Sequence, residues 1–450
     1  MDLTVNALID YAREKAEVTQ NQGIRRECKR RLLDTLACAV AGRATPIGVM
    51  AVVTASKYSG QHSATVWGTT NKSSLEMATF ANGTLLRCLD LSDMYRNNCG
   101  GHPSDVIAPI LSVAESFQST GKRTLTAIEI AYEIYCGFCD SIDANTNGWD
   151  QPLYGAVAAV VGASVLLDLD AEQMRNAISL ALVPNMPLYQ TRTGELSAWK
   201  GCAAANGSRN AVFAALLARD GYTAPDLPIE GSMGLWKILG QFKWSLNADL
   251  ERPAVCRTHF KSFPICYHGQ AAAWAAIDIY ENLINVDEIE VIEIHTYSTA
   301  VKLMGADASR WAPNTRETAD HSLPYVVAVG LLFGSLNKQY FEGHLLSDSR
   351  IQSLMSKVKV IDDPIMTHGY PKIVPCKLNI RMLGGRVREA VIQYPKGHEK
   401  NPISDGDLEE KASSLFEEFL GKKRTKTVLE AIWEIDQAET VGPLIQLMSN

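Results

Sequence analysis

The richest concentration of ionisable side chains lies in residues 89–106. Asp90 and Asp93 stand three residues apart, and they share one face of a helix if this stretch is helical. A Gly-Gly pair then precedes His102, and the proline after it can open a helix. The N–H groups at such a helix end attract an anion, and Ser104 adds a hydroxyl there. In the structural alternative, Asp93 is a cap and His102 is a turn residue.

A second segment carries two cations, Arg192 and Lys200. Lys200 opens a run of small, mostly apolar residues, which predicts a buried helix over residues 200–219. Lysine is rarely placed in such a helix for packing, so we interpret Lys200 as a candidate anion-binding group. The alternative is a lysine at the helix end whose ammonium reaches water.

Two later segments combine further polar groups with apolar surroundings. Residues 259–270 offer a charge, an imidazole that titrates near neutral pH and an amide, in Lys261, His268 and Gln270. Residues 318–325 add a carboxylate, an imidazole and a phenol, in Asp320, His321 and Tyr325. Any one of these groups alone is more often structural.

The composition excludes several classes of protein. With a net charge of −7 and a pI near 5.8, the 450-residue chain lacks the excess of Lys and Arg that a nucleic-acid surface needs. No apolar run reaches the roughly 20 residues of a bilayer span. The N-terminus has no basic region followed by an apolar core, so we expect no signal peptide. The ten cysteines lie mostly in apolar stretches, which favours reduced thiols and a cytoplasmic location.

Common catalytic motifs are absent from the sequence. Neither GxxxxGK(S/T) nor a GxGxxG following a strand occurs, which argues against nucleotide binding. HExxH and GxSxG are also missing, which argues against the usual zinc proteases and serine hydrolases. Cys136 and Cys139 form the only close cysteine pair, and no second pair at zinc spacing accompanies them.

Hydrophobic periodicity changes along the chain. Apolar spacing of three and four predicts helices through the first 250 or so residues, at 31–42 with Gly42 as a C-cap, 73–90, 105–119, 124–141, 153–168, 171–183 and 200–219. After about residue 270, alternation predicts strands at 288–297, 358–361, 377–383 and 387–394, with Gly384 and Gly385 in a hairpin turn. Helical periodicity resumes near residue 405.

This order predicts a mainly α protein with two domains. We expect a large all-helical domain built from both chain ends, residues 1–269 and 401–450, and a smaller inserted α+β lid domain, residues 270–400. A cleft between two domains is the usual place for a ligand.

The four polar segments together resemble the MmgE/PrpD family. The similarity covers nearly the whole chain, and it rests on Asp-Leu-Ser-Asp at 90–93, Gly-His-Pro-Ser-Asp at 101–105, Ser-Ala-Trp-Lys-Gly at 197–201, Lys-Ser-Phe-Pro at 261–264 and Ala-Asp-His-Ser-Leu-Pro-Tyr at 319–325. The match of several segments in order is much more specific than any single motif.

The resemblance implies a homodimer that binds a small polycarboxylate and uses no metal, iron–sulfur cluster or other cofactor. Carried over by motif, the catalytic positions are Asp90, His102, Lys200, Lys261 and Tyr325. We further expect substrate contacts from Arg192, His268, Ser104 and Gln270. Met94 stands where similar members usually carry threonine, so a hydroxyl contact with the substrate is not expected there.

The family includes methylcitrate dehydratase, cis-aconitate decarboxylase and iminodisuccinate epimerase. We expect dehydration of a hydroxy-tricarboxylate such as 2-methylcitrate, with Lys200 and Lys261 stabilising the dianion formed when a proton leaves the carbon next to a carboxylate. Asp90 and His102 divide the roles of base and acid, and Tyr325 or His268 assists the departing hydroxyl. Decarboxylation and epimerisation stay open, because each passes through a carbanion-like centre.

Three readings from other classes compete with this one. A magnesium-dependent terpenoid-synthase-like enzyme would use Asp90 and Asp93 as metal ligands, but a second acidic metal motif is missing. An aconitase-like iron–sulfur lyase would need a third ligand beside Cys136 and Cys139. A non-catalytic carboxylate-binding or scaffold protein would keep the fold without turnover.

Overall fold

A computed structural model describes residues 2–244, 252–281 and 285–449, and these residues form a mainly helical protein, which confirms the predicted fold class. The α-helices are α1 Leu3–Glu17, α2 Gln22–Gly42, α3 Pro46–Ala55, α4 Leu75–Arg87, α5 Ile107–Ser116, α6 Gly121–Ser141, α7 Pro152–Leu166, α8 Ala171–Leu182, α9 Ala203–Arg219, α10 Leu235–Leu239, α11 Gln270–Tyr280, α12 Ser298–Met304, α13 Arg316–Ala319, α14 Leu323–Phe333, α15 Gly343–Leu346, α16 Ser349–Met355, α17 Pro364–Gly369, α18 Asp405–Trp433 and α19 Gly442–Leu447.

The strands are short or belong to one sheet. They are β1 Ser63–Thr65, β2 Lys72–Ser74, β3 Tyr95–Arg96, β4 Gly100–Gly101, β5 Ile289–Thr296, β6 Val358–Asp362, β7 Cys376–Met382 and β8 Val387–Ile392. β1 pairs with β2 and β3 pairs with β4, each antiparallel, and neither small hairpin was predicted from the sequence.

The chain divides into two compact units. Unit 1 comprises residues 1–191, 201–259 and 404–450, and unit 2 comprises residues 192–200 and 260–403. The unit boundaries differ from the domain boundaries drawn from the sequence, because unit 2 also contains residues 192–200, 260–269 and 401–403.

The core of unit 1 is built on close helix packing. Every residue of α7 is buried, because its small side chains let α6 and α9 approach it from different sides. Gly42 is the last residue of α2 and not a C-cap, since its neighbour Arg43 keeps helical angles. A Cβ at Gly42 would lie 2.2 Å from the Leu85 carbonyl oxygen, so this glycine permits the contact between α2 and α4.

Unit 2 contains the four-stranded sheet, in the order β6-β5-β7-β8. β5 runs parallel to β6, while β7 is antiparallel to both of its neighbours. Ile292, Ile294 and Thr296 of β5 are buried in alternation, as the period-two pattern predicted. Both glycines of the β7–β8 turn have positive φ, which confirms the predicted hairpin. α11 packs on β7 and β8 and also on α14.

The chain ends with two helices, α18 and α19, that belong to unit 1. α18 is broken at Gly421, where φ is 71°. Within the described residues, no single helix is long and apolar enough to cross a bilayer; α2 and α3 meet that test only jointly, across a bend of 92°.

Candidate active site

The segment that carries Asp90 and Asp93 is a loop, so the condition for their sharing a helix face is not met. α4 ends at Arg87, and Asp90 has a left-handed backbone with φ of 49°. The Arg87 side chain explains this end, because its guanidinium reaches forward over the loop. It donates to Ser92 Oγ at 3.0 Å and to Asp90 Oδ1 at 3.3 Å, and it pairs with Asp105 Oδ1 at 3.2 Å. One buried cation thus neutralises two buried carboxylates.

Asp93 caps the helical segment that follows His102. Its Oδ1 accepts from the Ser104 N–H at 3.0 Å, and its Oδ2 accepts from the Tyr132 hydroxyl at 3.0 Å. Burial, and then the Asp93 carboxylate, raise the pKa of Tyr132, so the phenol stays protonated and donates. The anion expected at this helix end is therefore the protein's own carboxylate, as the structural alternative held for Asp93.

His102 has a defined tautomer. Its Nδ1 lies 2.7 Å from the Asp93 carbonyl oxygen, which can only accept, so Nδ1 carries the proton. In the neutral imidazole, Nε2 then has the lone pair. Nε2 lies 4.0 Å from Asp90 Oδ1. This arrangement suits His102 to take a proton at Nε2, with the resulting cation stabilised by Asp90.

A buried amide fixes the backbone at His102. The His102 N–H donates to Gln151 Oε1 at 3.0 Å and lies 3.0 Å from the Tyr135 hydroxyl, and this hydroxyl also donates to Gln151 Oε1. A Cβ at Gly101 would lie 2.1 Å from Tyr135 Oη and 2.3 Å from Gln151 Oε1. The second glycine of the Gly-Gly pair is therefore required by this close approach.

An ion pair between the buried Asp34 and the half-buried Lys411 supports the other end of the same loop. Lys411 Nζ lies 2.6 Å from Asp34 Oδ1 and donates to the Leu91 carbonyl oxygen at 3.2 Å. Burial raises the pKa of Asp34, and Lys411 opposes this effect. α2 and α18 thus hold the loop between the two aspartates.

Two further residues of this loop region bear on substrate contact. Met94 is buried, and its backbone pairs with that of His259 in both directions, at 2.7 and 2.8 Å. Ser104 is 1% exposed, and its hydroxyl has no hydrogen-bond partner among the described residues. Within unit 1, Asp93 contacts both His102 and Ser104, and Asp90 lies 4.0 Å from His102 Nε2.

Lys200 lies outside α9, contrary to the helix predicted over residues 200–219. It sits in a short 3-10 turn, Ala198–Gly201, and its side chain is buried. Residues 192–200 are tied to the rest of unit 2 through Leu196, whose N–H lies 3.4 Å from Thr318 Oγ1. Arg192 is half-exposed at the start of this segment.

Gln270 holds the segment that carries Lys261. Its Oε1 accepts from the N–H groups of Ser262 and Phe263 at 3.1 and 3.2 Å, and its Nε2 donates to the Phe263 carbonyl at 2.8 Å and to the Ile265 carbonyl at 3.4 Å. Both ends of this amide are used by the backbone. We therefore interpret Gln270 as a positioning residue and not as the substrate contact expected from the sequence. Lys261 itself is fully buried.

His268 is bound by a tyrosine that the sequence did not indicate. Its Nδ1 lies 2.6 Å from Tyr297 Oη, and the Tyr297 ring stacks on Tyr370 with ring centres 4.3 Å apart. A hydroxyl both donates and accepts, so this contact is compatible with either protonation state of Nδ1.

Tyr325 is placed in the core of unit 2. Its hydroxyl donates to the Tyr340 carbonyl oxygen at 2.5 Å, and its ring packs near Phe341. Burial raises the pKa of Tyr325. This geometry speaks against the predicted role as proton donor, because the proton is already given to a carbonyl.

Asp320, which is buried, and His321, which is half-buried, form a carboxylate–imidazole pair in unit 2. His321 Nδ1 is hydrogen-bonded to Asp320 Oδ1. Burial and the Lys200 ammonium lower the pKa of His321, but Cys266 and Asp320 raise it by more, so it lies above its ordinary value. The Cys266 N–H donates to the Asp320 carbonyl at 2.9 Å, which ties this pair to the segment of Lys261 and His268.

Two family models match the chain: the MmgE/PrpD N-terminal domain matches residues 6–246, and the MmgE/PrpD C-terminal domain matches residues 263–435. The chain belongs to the MmgE/PrpD family. This finding confirms the resemblance inferred from the four polar segments, all of which lie at least in part within the matched ranges.

Curated relatives carry names of two activities. The 2-methylcitrate dehydratase of Escherichia coli is 29% identical over 349 residues, which cover 71% of each chain. The mitochondrial 2-methylcitrate dehydratase of Yarrowia lipolytica is 27% identical over 365 residues, 76% of this chain and 68% of the relative. The cis-aconitate decarboxylase-like protein of Aspergillus oryzae is 24% identical over 462 residues, 94% of this chain and 92% of the relative.

Proposed function

We propose that this protein is a lyase that dehydrates a small hydroxy-tricarboxylate such as 2-methylcitrate, without a metal or redox cofactor. The observation that carries the proposal is the His102 tautomer, in a member of a family whose curated relatives are named 2-methylcitrate dehydratases. A lone pair on Nε2 beside a carboxylate is what proton abstraction from carbon requires.

The remaining roles follow from charge. Removing a proton next to a carboxylate makes a dianion, and Lys200 and Lys261 are buried cations that stabilise it. Arg192 assists in binding, and Ser104 offers its buried hydroxyl to a substrate oxygen. The substrate thus loses a proton to His102 and a β-hydroxyl as water. Asp90 stabilises the imidazolium that forms.

Decarboxylation of cis-aconitate is the second candidate. The relative named for it aligns over 94% of this chain, more than the dehydratases do. A carbanion-like centre left by carbon dioxide would need the same cations and a proton in place of a leaving hydroxyl.

The test is direct turnover of purified protein. We expect 2-methylcitrate to give alkene signals in proton NMR, with activity unchanged by EDTA. Carbon dioxide release from cis-aconitate would instead favour decarboxylation. Tight binding of tricarboxylates without turnover would favour a carboxylate-binding protein and contradict the proposal.

Variants then test the residues. Lys200→Met and Lys261→Met should each reduce kcat by about 10²-fold or more, because the dianion loses its counter-charge. Lys302→Met, which changes an exposed lysine of the same unit, is the matched control and should have wild-type activity. Near-wild-type kcat in both buried-lysine variants would end this site assignment.

A further inference from the structure

The proposed dehydration needs a proton for the departing hydroxyl, and the sequence left its source open between His268 and Tyr325. The Tyr325 proton is donated to the Tyr340 carbonyl. His268 meets a hydroxyl, Tyr297 Oη, which does not fix where its proton lies. Neither residue is therefore held as a committed donor.

His321, in contrast, is held as a proton donor. Its Nδ1 faces the Asp320 carboxylate, which can only accept when it is ionised, so Nδ1 keeps its proton in both states of the ring. Only Nε2 then gains or loses a proton. Asp320 is 1% exposed, and its backbone carbonyl accepts from the Cys266 N–H, which holds the backbone that carries the carboxylate.

The surroundings of His321 favour the charged ring. Besides burial, the main influences on its pKa are the Lys200 ammonium, the Cys266 side chain and the Asp320 carboxylate. Their balance, against burial, leaves the pKa above the ordinary imidazole value, so Nε2 carries a proton over more of the neutral range. His321 also lies within electrostatic range of Lys200, which the proposed function assigns to the substrate.

We propose that His321 is a catalytic acid that protonates the leaving hydroxyl, with Asp320 as its positioning residue. This inference rests on the proposed function. As the C–H bond breaks, its proton goes to His102 Nε2, and its electrons form the alkene. The C–O bond breaks with its electrons on oxygen, and the proton of His321 Nε2 joins that oxygen to give water. Exchange with solvent resets both imidazoles.

The test uses His321→Gln in the full chain, with His344→Gln, an exposed histidine of the same unit, as its control. With 2-methylcitrate, kcat of His321→Gln should fall by about 10²–10⁴-fold, which is the usual worth of a general acid. With an analogue that carries fluorine in place of the hydroxyl, the loss should be much smaller, because fluoride leaves without a proton. Equal losses with both substrates, or a change confined to KM, would show a binding or structural role and overturn the proposal.

Asp320→Asn provides a second test. An acid works only while protonated, so activity falls as the pH rises through its pKa. Without the carboxylate this pKa drops, and the alkaline limb of the kcat/KM profile should move to lower pH, with the melting curve showing a folded protein. A limb that does not move overturns the proposal.

The two failures are distinguishable. Wild-type protein that turns over no polycarboxylate overturns the proposed function, and this inference with it. Wild-type protein that dehydrates 2-methylcitrate while His321→Gln keeps its kcat overturns this inference alone. A kcat defect that appears in Tyr297→Phe and not in His321→Gln, and that the fluorine analogue relieves, would assign the acid to His268 instead.

Discussion

Two buried glutamines, Gln151 in unit 1 and Gln270 in unit 2, hold the backbones that carry the candidate catalytic groups. Both lie at the start of a helix, Gln151 before α7 and Gln270 as the first residue of α11. They differ in the range of the bonds. Among the described residues, the Gln270 side chain bonds only to backbone atoms five to eight residues before it, whereas the Gln151 side chain bonds to His102, 49 residues away.

The difference also concerns which end of the amide is used. Gln270 uses both its oxygen and its nitrogen, and Gln151 uses only its oxygen among the described residues. In unit 2 the backbone near Lys261 is therefore held by hydrogen bonds between residues close in sequence. In unit 1 the backbone of His102 is held by residues far away in sequence. The local hydrogen bonds of Gln270 are lost when Gln270 itself is changed. The long-range bond between Gln151 and His102 is also lost when a change at another residue moves the helices apart.

The largest effect is expected from Gly101→Ala. The new methyl would meet Tyr135 Oη and Gln151 Oε1, at 2.1 and 2.3 Å, and would push the His102 backbone away from the amide. Misplacement by about 1 Å is enough to lower kcat by about 10²-fold. Steady-state kinetics and thermal melting measure both consequences.

Gly406→Ala is the control for this change, since its nearest atom would be Ser404 Oγ at 3.9 Å. It should keep wild-type activity and melting temperature. Unchanged turnover in Gly101→Ala would show that His102 does not depend on this long-range contact.

A smaller effect is expected from exchanging each amide for a carboxyl group. Gln270→Glu loses two donations and turns a carboxylate oxygen towards the Phe263 carbonyl, which should cost about 1–3 kcal/mol of stability and also lower kcat through Lys261. Gln151→Glu keeps the oxygen that accepts from His102, so its loss should be smaller. Urea unfolding of the two variants compares them, and the reverse order would contradict the distinction between the two amides.

The smallest effect concerns pH. Burial, and then Lys400, lower the pKa of His398 to about 4. The carbonyl of its neighbour Gly397 accepts from the Phe260 N–H, next to Lys261. Between the ordinary value near 6.5 and about 4, the unfolded chain binds a proton that the folded chain does not. The contribution of His398 to the free energy of unfolding is therefore fully present above the ordinary imidazole pKa and is lost as the pH falls towards about 4.

His398→Gln should accordingly weaken the drop in melting temperature between neutral and mildly acidic pH. His321 has the opposite sign, because its raised pKa gives stability that is lost as the pH rises. If the melting temperature of His398→Gln changes with pH as that of the wild type does, His398 does not contribute to the acid sensitivity of the fold.

The fold was largely predictable from the sequence, because long elements with strong periodicity decide their own type. α6 and β5 appeared where spacing placed them, and α2 ends at the predicted residue but begins earlier, at Gln22. The loop at Asp90 was not predictable in this way, since a helical pattern up to that residue is overridden by its positive φ and by the pairing of Arg87 with two carboxylates.

The candidate site was predictable in its charged groups and not in their supports. His102, Lys200 and Lys261 stood out because ionisable groups in apolar surroundings need a reason. Gln151 and Tyr297 gave no such signal, since each acts through a contact 49 or 29 residues away. The sequence showed Asp320 and His321 as neighbouring polar residues, but it did not show that the imidazole bonds to the carboxylate.

Unit 2 is built from two separate stretches of the chain, residues 192–200 and 260–403, and this has a consequence for recombination among relatives. Lys200 lies within the N-terminal family model, whereas His268 and His321 lie within the C-terminal one, although all three belong to unit 2. A chimera joined between the two matched ranges would therefore combine one parent's lysine with the other parent's imidazoles. Such hybrids would exchange part of the proposed catalytic set while leaving each matched family domain intact, so we expect their substrate preference to match neither parent.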